Sequence, residues 1–323
     1  MGRHFDTLAL IGLGLIGSSI SHAARRSGLV GRIVGTARSA ATRETAVRLG
    51  IVDAVFETGA EAVAGADLVI LCVPVGACAP IAAEIAPRLA AGAIVTDVGS
   101  VKASVVADMA PYLPQTVHFV PAHPIAGAET SGPEAGFAEL FDNRWCILTP
   151  PPGTDADAVQ RLAAFWRALG SNVEVMEPAH HDLVLAVTSH LPHLIAFNMV
   201  NTAQDLANVT DSDVIKYSAG GFRDFTRIAA SDPTMWRDVF LANREATLEM
   251  LGRFTEELTE LQRAIRRGDG ALLHERFAAA RAIRRGIIDA GQDVAVPDFG
   301  RRGTAAGPTR PAVVPDGDAK GTS

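Results

Sequence analysis

A β-branched and aliphatic run, Thr7–Ile11, leads directly into Gly12-Leu13-Gly14-Leu15-Ile16-Gly17, and a helical pattern follows over Ser18–Ser27. Few other features restrict a chain so strongly. In a strand–turn–helix setting, Gly12 permits a tight turn, Gly14 lets the backbone approach a pyrophosphate, and Gly17 lets helix and strand pack closely. The helix N-terminus adds free N–H groups and the positive end of the helix dipole. The segment Gly12, Leu13, Gly14, Leu15, Ile16, Gly17 is therefore a candidate dinucleotide cradle.

The same alternation continues. Strands are expected at Arg32–Thr36, Leu68–Val73, Ile94–Val98, His118–Ala122, Cys146–Thr149 and Asn172–Met176, with helices at Ile81–Ala90 and Asp155–Leu169. Strand–helix alternation predicts an α/β domain with a mostly parallel, doubly wound sheet over residues 1–176. After Met176 the β-branched runs stop, and Leu183–Leu206, Trp236–Arg266 and Ala271–Ala290 are apolar at helical spacing. Asp232-Pro233 reads as an N-cap and first turn. Residues 177–297 are thus expected to be all-helical, with enough apolar surface for a homodimer. Residues 298–323, rich in Gly, Pro, Thr and Ala, read as a disordered tail.

Composition excludes several classes. The 323 residues suggest roughly two domains, and 48% apolar content supports a sizeable core. A net charge of -7 gives no global drive toward nucleic acid. Cys72, Cys78 and Cys146 form no CxxC pair, so the chain reads as cytoplasmic without a disulfide framework. Arg3 followed by Leu8–Ile20 mimics a signal peptide, but three glycines interrupt that run. No later apolar run is expected to cross a bilayer, and no membrane partner is expected.

The end of the second strand bears on cofactor choice. An NAD site usually carries an acid there to bond the ribose 2′-hydroxyl. Here Thr36-Ala37-Arg38-Ser39 puts Ala37 at that position. Arg38, helped by Ser39 or Thr36, can pair with a 2′-phosphate, which favours NADP over NAD; stacking of Arg38 on adenine is the competing role.

Three further segments combine unusual chemistry. Asp97-Val-Gly-Ser100-Val-Lys102 leaves Ser100 at a strand's carboxyl end, as a site residue or a helix N-cap. His123 is followed by Pro124 and by the glycines Gly127 and Gly132, and a histidine so confined can accept a proton near neutral pH. His190-Leu-Pro-His193 places two histidines three apart near one helix face. Zinc is disfavoured because no Cys or Glu ligand set accompanies them, so no metal is expected. His180-His181 reads as a solvated helix start. Gly220-Gly221-Phe222-Arg223-Asp224-Phe225-Thr226-Arg227 carries two arginines four apart, suited to carboxylate recognition, although Arg223 can instead pair with Asp224.

Together GLGLIGSS, DVGSVK, HPIAGAETSGPEAGFAELF, SHLPH and GGFRDFTRIAASDPTMW, in this order from Gly12 to Trp236, resemble the prephenate/arogenate (cyclohexadienyl) dehydrogenases of tyrosine biosynthesis. The resemblance implies a Rossmann-like domain, a helical dimerisation domain and an active site between them. It implies NAD(P)-dependent oxidative decarboxylation of prephenate to 4-hydroxyphenylpyruvate, or of arogenate to tyrosine. In that chemistry His123 takes the hydroxyl proton, and Ser100 holds His123 or the substrate hydroxyl. Arg227 binds the ring carboxylate and His193 orients the substrate, while Glu129, Arg223 and Asp224 shape the pocket. The alternative is another two-domain NADP-dependent dehydrogenase of the hydroxyacid type.

Overall fold

The computed structural model describes residues 2–128, 130–210 and 214–289. The chain divides into two compact units, Met1–Phe254 and Thr255 onward.

Six parallel strands form the first sheet, in the order β3-β2-β1-β4-β5-β6: β1 (Phe5–Ile11), β2 (Val30–Thr36), β3 (Ala54–Phe56), β4 (Leu68–Leu71), β5 (Ile94–Asp97) and β6 (His118–Phe119). The short β3 is absent from the strands expected on sequence. Side chains alternate across this sheet as the strand period requires. Leu8, Leu10, Leu68, Ile70 and Ile94 enter one buried layer, while Ala9, Ile11, Val69, Leu71 and Val95 enter the other. Burial on both faces explains why the strands read as continuous apolar runs. The helices that cover them include α1 (Leu15–Arg26), α2 (Ala40–Arg48), α3 (Gly59–Ala62), α4 (Cys78–Ile85) and α5 (Ala103–Met109).

The expected strand His118–Ala122 is in fact two. Its second half joins β7 (Ala122–Pro124), which runs antiparallel to β8 (Trp145–Leu148), itself parallel to β9 (Asn172–Val175). Pro121 stands between the halves and has no N–H for the parallel ladder; its carbonyl accepts from Thr149 N instead. This switch takes the chain off the large sheet just before His123. Asp155 caps the following α6 (Ala156–Ala168), as its side chain accepts from Ala158 N.

Beyond β9 the described elements of the first unit are helical: α7 (Pro178–Leu185), a π-helical turn at Ala186–His190, α8 (Leu191–Thr210), α9 (Gly220–Thr226), α10 (Pro233–Ala242) and the start of α11 (Arg244–Arg267). Asp232 caps α10 through Met235 N, with Pro233 in its first turn, as expected. The periodic stretch from Trp236 to Arg266 breaks at Asn243 into two helices. Contrary to the sequence expectation, Pro178–Asn208 is a continuous helical run in which one 18-residue window reaches a mean hydropathy of 1.5, long and apolar enough by length and composition to cross a membrane. The π turn joins two shorter apolar segments end to end, and the run carries the buried polar residues His181, Asp182 and His190. In the second unit α12 (Gly270–Asp289) follows Gly268, and Arg276 bonds Glu260 at 2.8 Å. The expected tail, 298–323, lies outside the described residues.

Candidate active site

The glycine turn sits where the order of the parallel sheet reverses, between β1 and β4, which is where open α/β sheets bind ligands. Gly12 has φ +106°, and a Cβ there would lie 2.2 Å from Cys72 O. A Cβ on Gly17 would lie 2.2 Å from Gly12 O. Gly14 differs, because a Cβ would meet nothing within 4 Å. Gly14 is also the N-cap of α1, which has no side-chain cap and no acid in its first turn. That open, uncapped N-terminus fits a pyrophosphate. Leu13 is buried, and Leu15 and Ile16 pack against the core, so these three contribute backbone rather than side chain.

At the end of β2, Thr36 Oγ1 donates to Phe56 O at 2.8 Å, and Ser39 caps α2 by accepting from Thr42 N. Ala37 O accepts from Arg43 Nη1 at 2.7 Å. Arg38 is exposed. Two guanidinium groups, Arg38 and Arg43, thus share this corner; only the first is apparent from the sequence motif.

The second cluster is built on buried polar residues. Asp97, at the end of β5, is ion-paired with Lys102, and both are fully buried. Lys102 Nζ also donates to Ala122 O at 2.8 Å, and Asp97 accepts from Gly99 N and Ala122 N. This pair fastens the carboxyl end of β5 to the start of β7, and so places His123. Ser100 is half-buried in the loop between; it is not the N-cap of α5, whose cap is Lys102 with no side-chain bond.

Asp182, reaching over from α7, supplies what that helix start lacks. Its carboxylate accepts from Lys102 N at 2.8 Å and Ala103 N at 2.9 Å. It also lies 2.8 Å from Nδ1 of His181, whose Nε2 is 2.9 Å from Nδ1 of His123. The reading of His180-His181 as a solvated helix start holds only for the exposed His180. His181 is fully buried, because one residue further round α7 faces the sheet domain. Burial holds the His123 pKa well below the ordinary value, with the charges of His181, Lys102 and His190 acting the same way. Burial lowers His181 too, against the raising effect of Asp182.

The π turn delivers the remaining histidines. Pro192, with no N–H, follows it closely, and such turns recur at functional sites. Asn243 Nδ2 bonds Asp182 O at 2.8 Å and His190 Nδ1 at 3.1 Å. His190 is pushed down to about 4 by burial, and its ring also meets the backbone of Ser100. His193 stacks on Trp236, with ring centroids 3.7 Å apart, and its Nδ1 bonds Ser189 O. Burial depresses the His193 pKa, and the nearby Arg227 charge adds to this. Arg227 is half-buried at the end of α9, while Arg223 and Asp224 are exposed. Glu129 lies outside the described residues. The structure therefore brings Ser100, His123, His190, His193 and Arg227 into one neighbourhood. Its supports Lys102, His181, Asp182, Trp236 and Asn243 carry no motif that sequence reasoning singles out for this role. Among the described residues, no group of three or more His, Cys, Asp or Glu is placed to hold a metal.

A doubly wound parallel sheet with a dinucleotide cradle, joined to helices that bring histidines and an arginine to its edge, defines a nucleotide-dependent oxidoreductase. Likeness to known proteins makes this specific. Residues 20–175 match the family model for the prephenate dehydrogenase nucleotide-binding domain, and residues 177–279 match that for the prephenate dehydrogenase dimerization domain. The chain belongs to the prephenate dehydrogenase family. It is 42% identical to the cyclohexadienyl dehydrogenase of Zymomonas mobilis over 87% of this chain and 95% of the relative. Prephenate dehydrogenase from A. aeolicus, solved in complex with hydroxyphenyl propionate and NAD+, superposes with TM-score 0.82 at 37% identity, covering 87% of this chain and 98% of that one. Synechocystis arogenate dehydrogenase gives TM-score 0.73 at 28% identity over 87% and 99%.

Proposed function

We propose that the protein catalyses oxidative decarboxylation of prephenate, arogenate or both, giving 4-hydroxyphenylpyruvate and tyrosine respectively. The observation that carries this reading is His123: a buried, neutral histidine beside the carboxyl end of β5, with one ring nitrogen engaged by His181 and the other without a partner among the described residues. The residues that would hold NAD(P) are the Gly12–Gly17 turn and the Arg38 corner, and the group supplies the acceptor for the hydride on the hydroxyl-bearing ring carbon. His123 takes the proton of that hydroxyl, so the oxygen can become a carbonyl as the hydride departs. Loss of carbon dioxide then drives electrons through the ring to this oxygen, and His123 returns the proton to form the phenol. Ser100 holds His123 or the hydroxyl. Arg227 binds the ring carboxylate and His193, fixed on Trp236, orients the ring. Glu129, Arg223 and Asp224 complete the pocket in this reading.

The corner at Ala37, with two guanidiniums and no acid among residues 36–39, favours NADP. NAD is the second reading, supported by its presence in the A. aeolicus neighbour. A nucleotide-binding domain over 1–176 and a helical substrate and dimerisation domain over 177–297 form part of this reading, supported by the family matches over 20–175 and 177–279. A homodimer is supported by the family model's description. Three free thiols suit a reducing compartment such as the cytoplasm. Membranes and nucleic acids have no part in this reading. The test is absorbance of the reduced nicotinamide, with prephenate and arogenate each offered with NAD and NADP. Turnover in at least one combination is expected; silence in all four, with cofactor binding intact, would overturn the reading.

A further inference from the structure

The buried row Asp182–His181–His123 has a direction. Asp182 Oδ1 already accepts from Lys102 N, and Oδ2 accepts from Ala103 N. An ionised carboxylate in that position has no proton to give, so the 2.8 Å contact with His181 requires the proton on Nδ1 of His181. Neutral His181 then carries only a lone pair on Nε2. The 2.9 Å contact with His123 can form only if Nδ1 of His123 donates. Nε2 of His123 is left as a bare acceptor.

We infer that His181 and Asp182 are positioning residues of the reaction: Asp182 fixes the tautomer of His181, and His181 in turn fixes that of His123, so that Nε2 of His123 is always the nitrogen that receives a proton. This deepens the reading of His123 as the base and rests on it. When Nε2 takes the hydroxyl proton, the new N–H bond forms as the O–H bond breaks. The positive charge is shared through the Nδ1–H···Nε2 bond with His181 and stabilised by Asp182 beyond it. Return of the proton to the phenol oxygen restores the starting row, so no other acid, base or oxidant is consumed. The arrangement also explains why His181 must stay uncharged. Protonation at its Nε2 would make it the donor to His123 Nδ1, moving the His123 proton to Nε2 and blocking the base.

Two measurements test this. Imidazole 15N NMR of the wild-type protein should show His123 and His181 both protonated at Nδ1 and bare at Nε2; His123 protonated at Nε2 would overturn the inference without any mutation. Asp182→Asn offers an amide of the same shape that can donate to His181, reversing the row. A fall in kcat of about 100-fold or more is expected, as when a carboxylate that orients a catalytic histidine is amidated. The Kd for the cofactor should be unchanged and the 15N pattern inverted. If His123→Asn abolishes turnover while Asp182→Asn, folded by circular dichroism, keeps wild-type kcat, the positioning role fails and the base survives. If His123→Asn itself retains turnover, the base reading fails first.

Discussion

Gly12 and Cys72 are so close that a Cβ on Gly12 would lie 2.2 Å from the Cys72 carbonyl oxygen, whereas a Cβ on Gly14, two residues on, would meet nothing within 4 Å. The two glycines serve different ends. Gly12 lets β1 and β4 close up at the point where the sheet reverses, at a φ of +106° that an L side chain rarely adopts. Gly14 leaves space above an uncapped helix N-terminus. Gly12→Ala is therefore expected to destabilise the fold by several kcal/mol through clash and strain. Gly14→Ala should keep the urea unfolding midpoint near wild type while weakening cofactor binding at least tenfold. Unfolding curves beside a cofactor titration separate the two, and normal affinity in Gly14→Ala would remove it from the cradle.

His123→Asn should lower kcat strongly and leave cofactor Kd nearly unchanged. The pH dependence follows from the direction of the His123 shift. The base works when neutral, and burial holds its pKa well below 6.5. Its surroundings are His181 and Asp182 on α7, His190 in the π turn, and Lys102 with Asp97 beside β5, so the acid limb reports this group of residues together. Because the pKa is lowered, the neutral form survives below pH 6.5, and the acid limb of kcat should fall there. A limb centred above the unperturbed histidine value of about 6.5 would contradict the assignment.

Arg227→Ala should chiefly raise KM for the substrate. A charge-assisted hydrogen bond contributes about 1.5–3 kcal/mol, equivalent to roughly a 10- to 150-fold rise. An unchanged KM in initial-rate kinetics would assign the ring carboxylate to another partner.

Arg38→Ala should weaken NADP and spare NAD, since only the former carries the 2′-phosphate. Arg43 remains in place beside the Ala37 and Arg38 carbonyls, so a partial loss of about tenfold is expected, within the range of one charge-assisted contact. Equal losses for both cofactors would place Arg38 on the adenine instead.

Much of this is legible in the residues. Glycine spacing after a strand locates the cradle, alternation predicts the parallel sheet, and Asp232 announces its helix. What escapes is chemistry that depends on burial. Asp97 ends β5 and Lys102 stands five residues on at the start of α5, a spacing that does not by itself pair them, yet they form a buried pair. His181 adjoins the exposed His180, and a dipeptide of identical residues does not say which faces the sheet. The strand through His118–Ala122 divides because Pro121 withdraws a donor from the ladder, which a propensity reading does not weigh against the apolar run around it.

By itself the sequence determined the class of fold and the cofactor turn, because each rests on local spacing: period two in strands, glycine in a tight turn, a cap before a helix. Only the tertiary structure decided that Asp182 would cap a helix far earlier in the chain, and through His181 orient His123. Hydrogen-bond direction in a buried row depends on which groups water cannot reach, and that is a property of the packed chain.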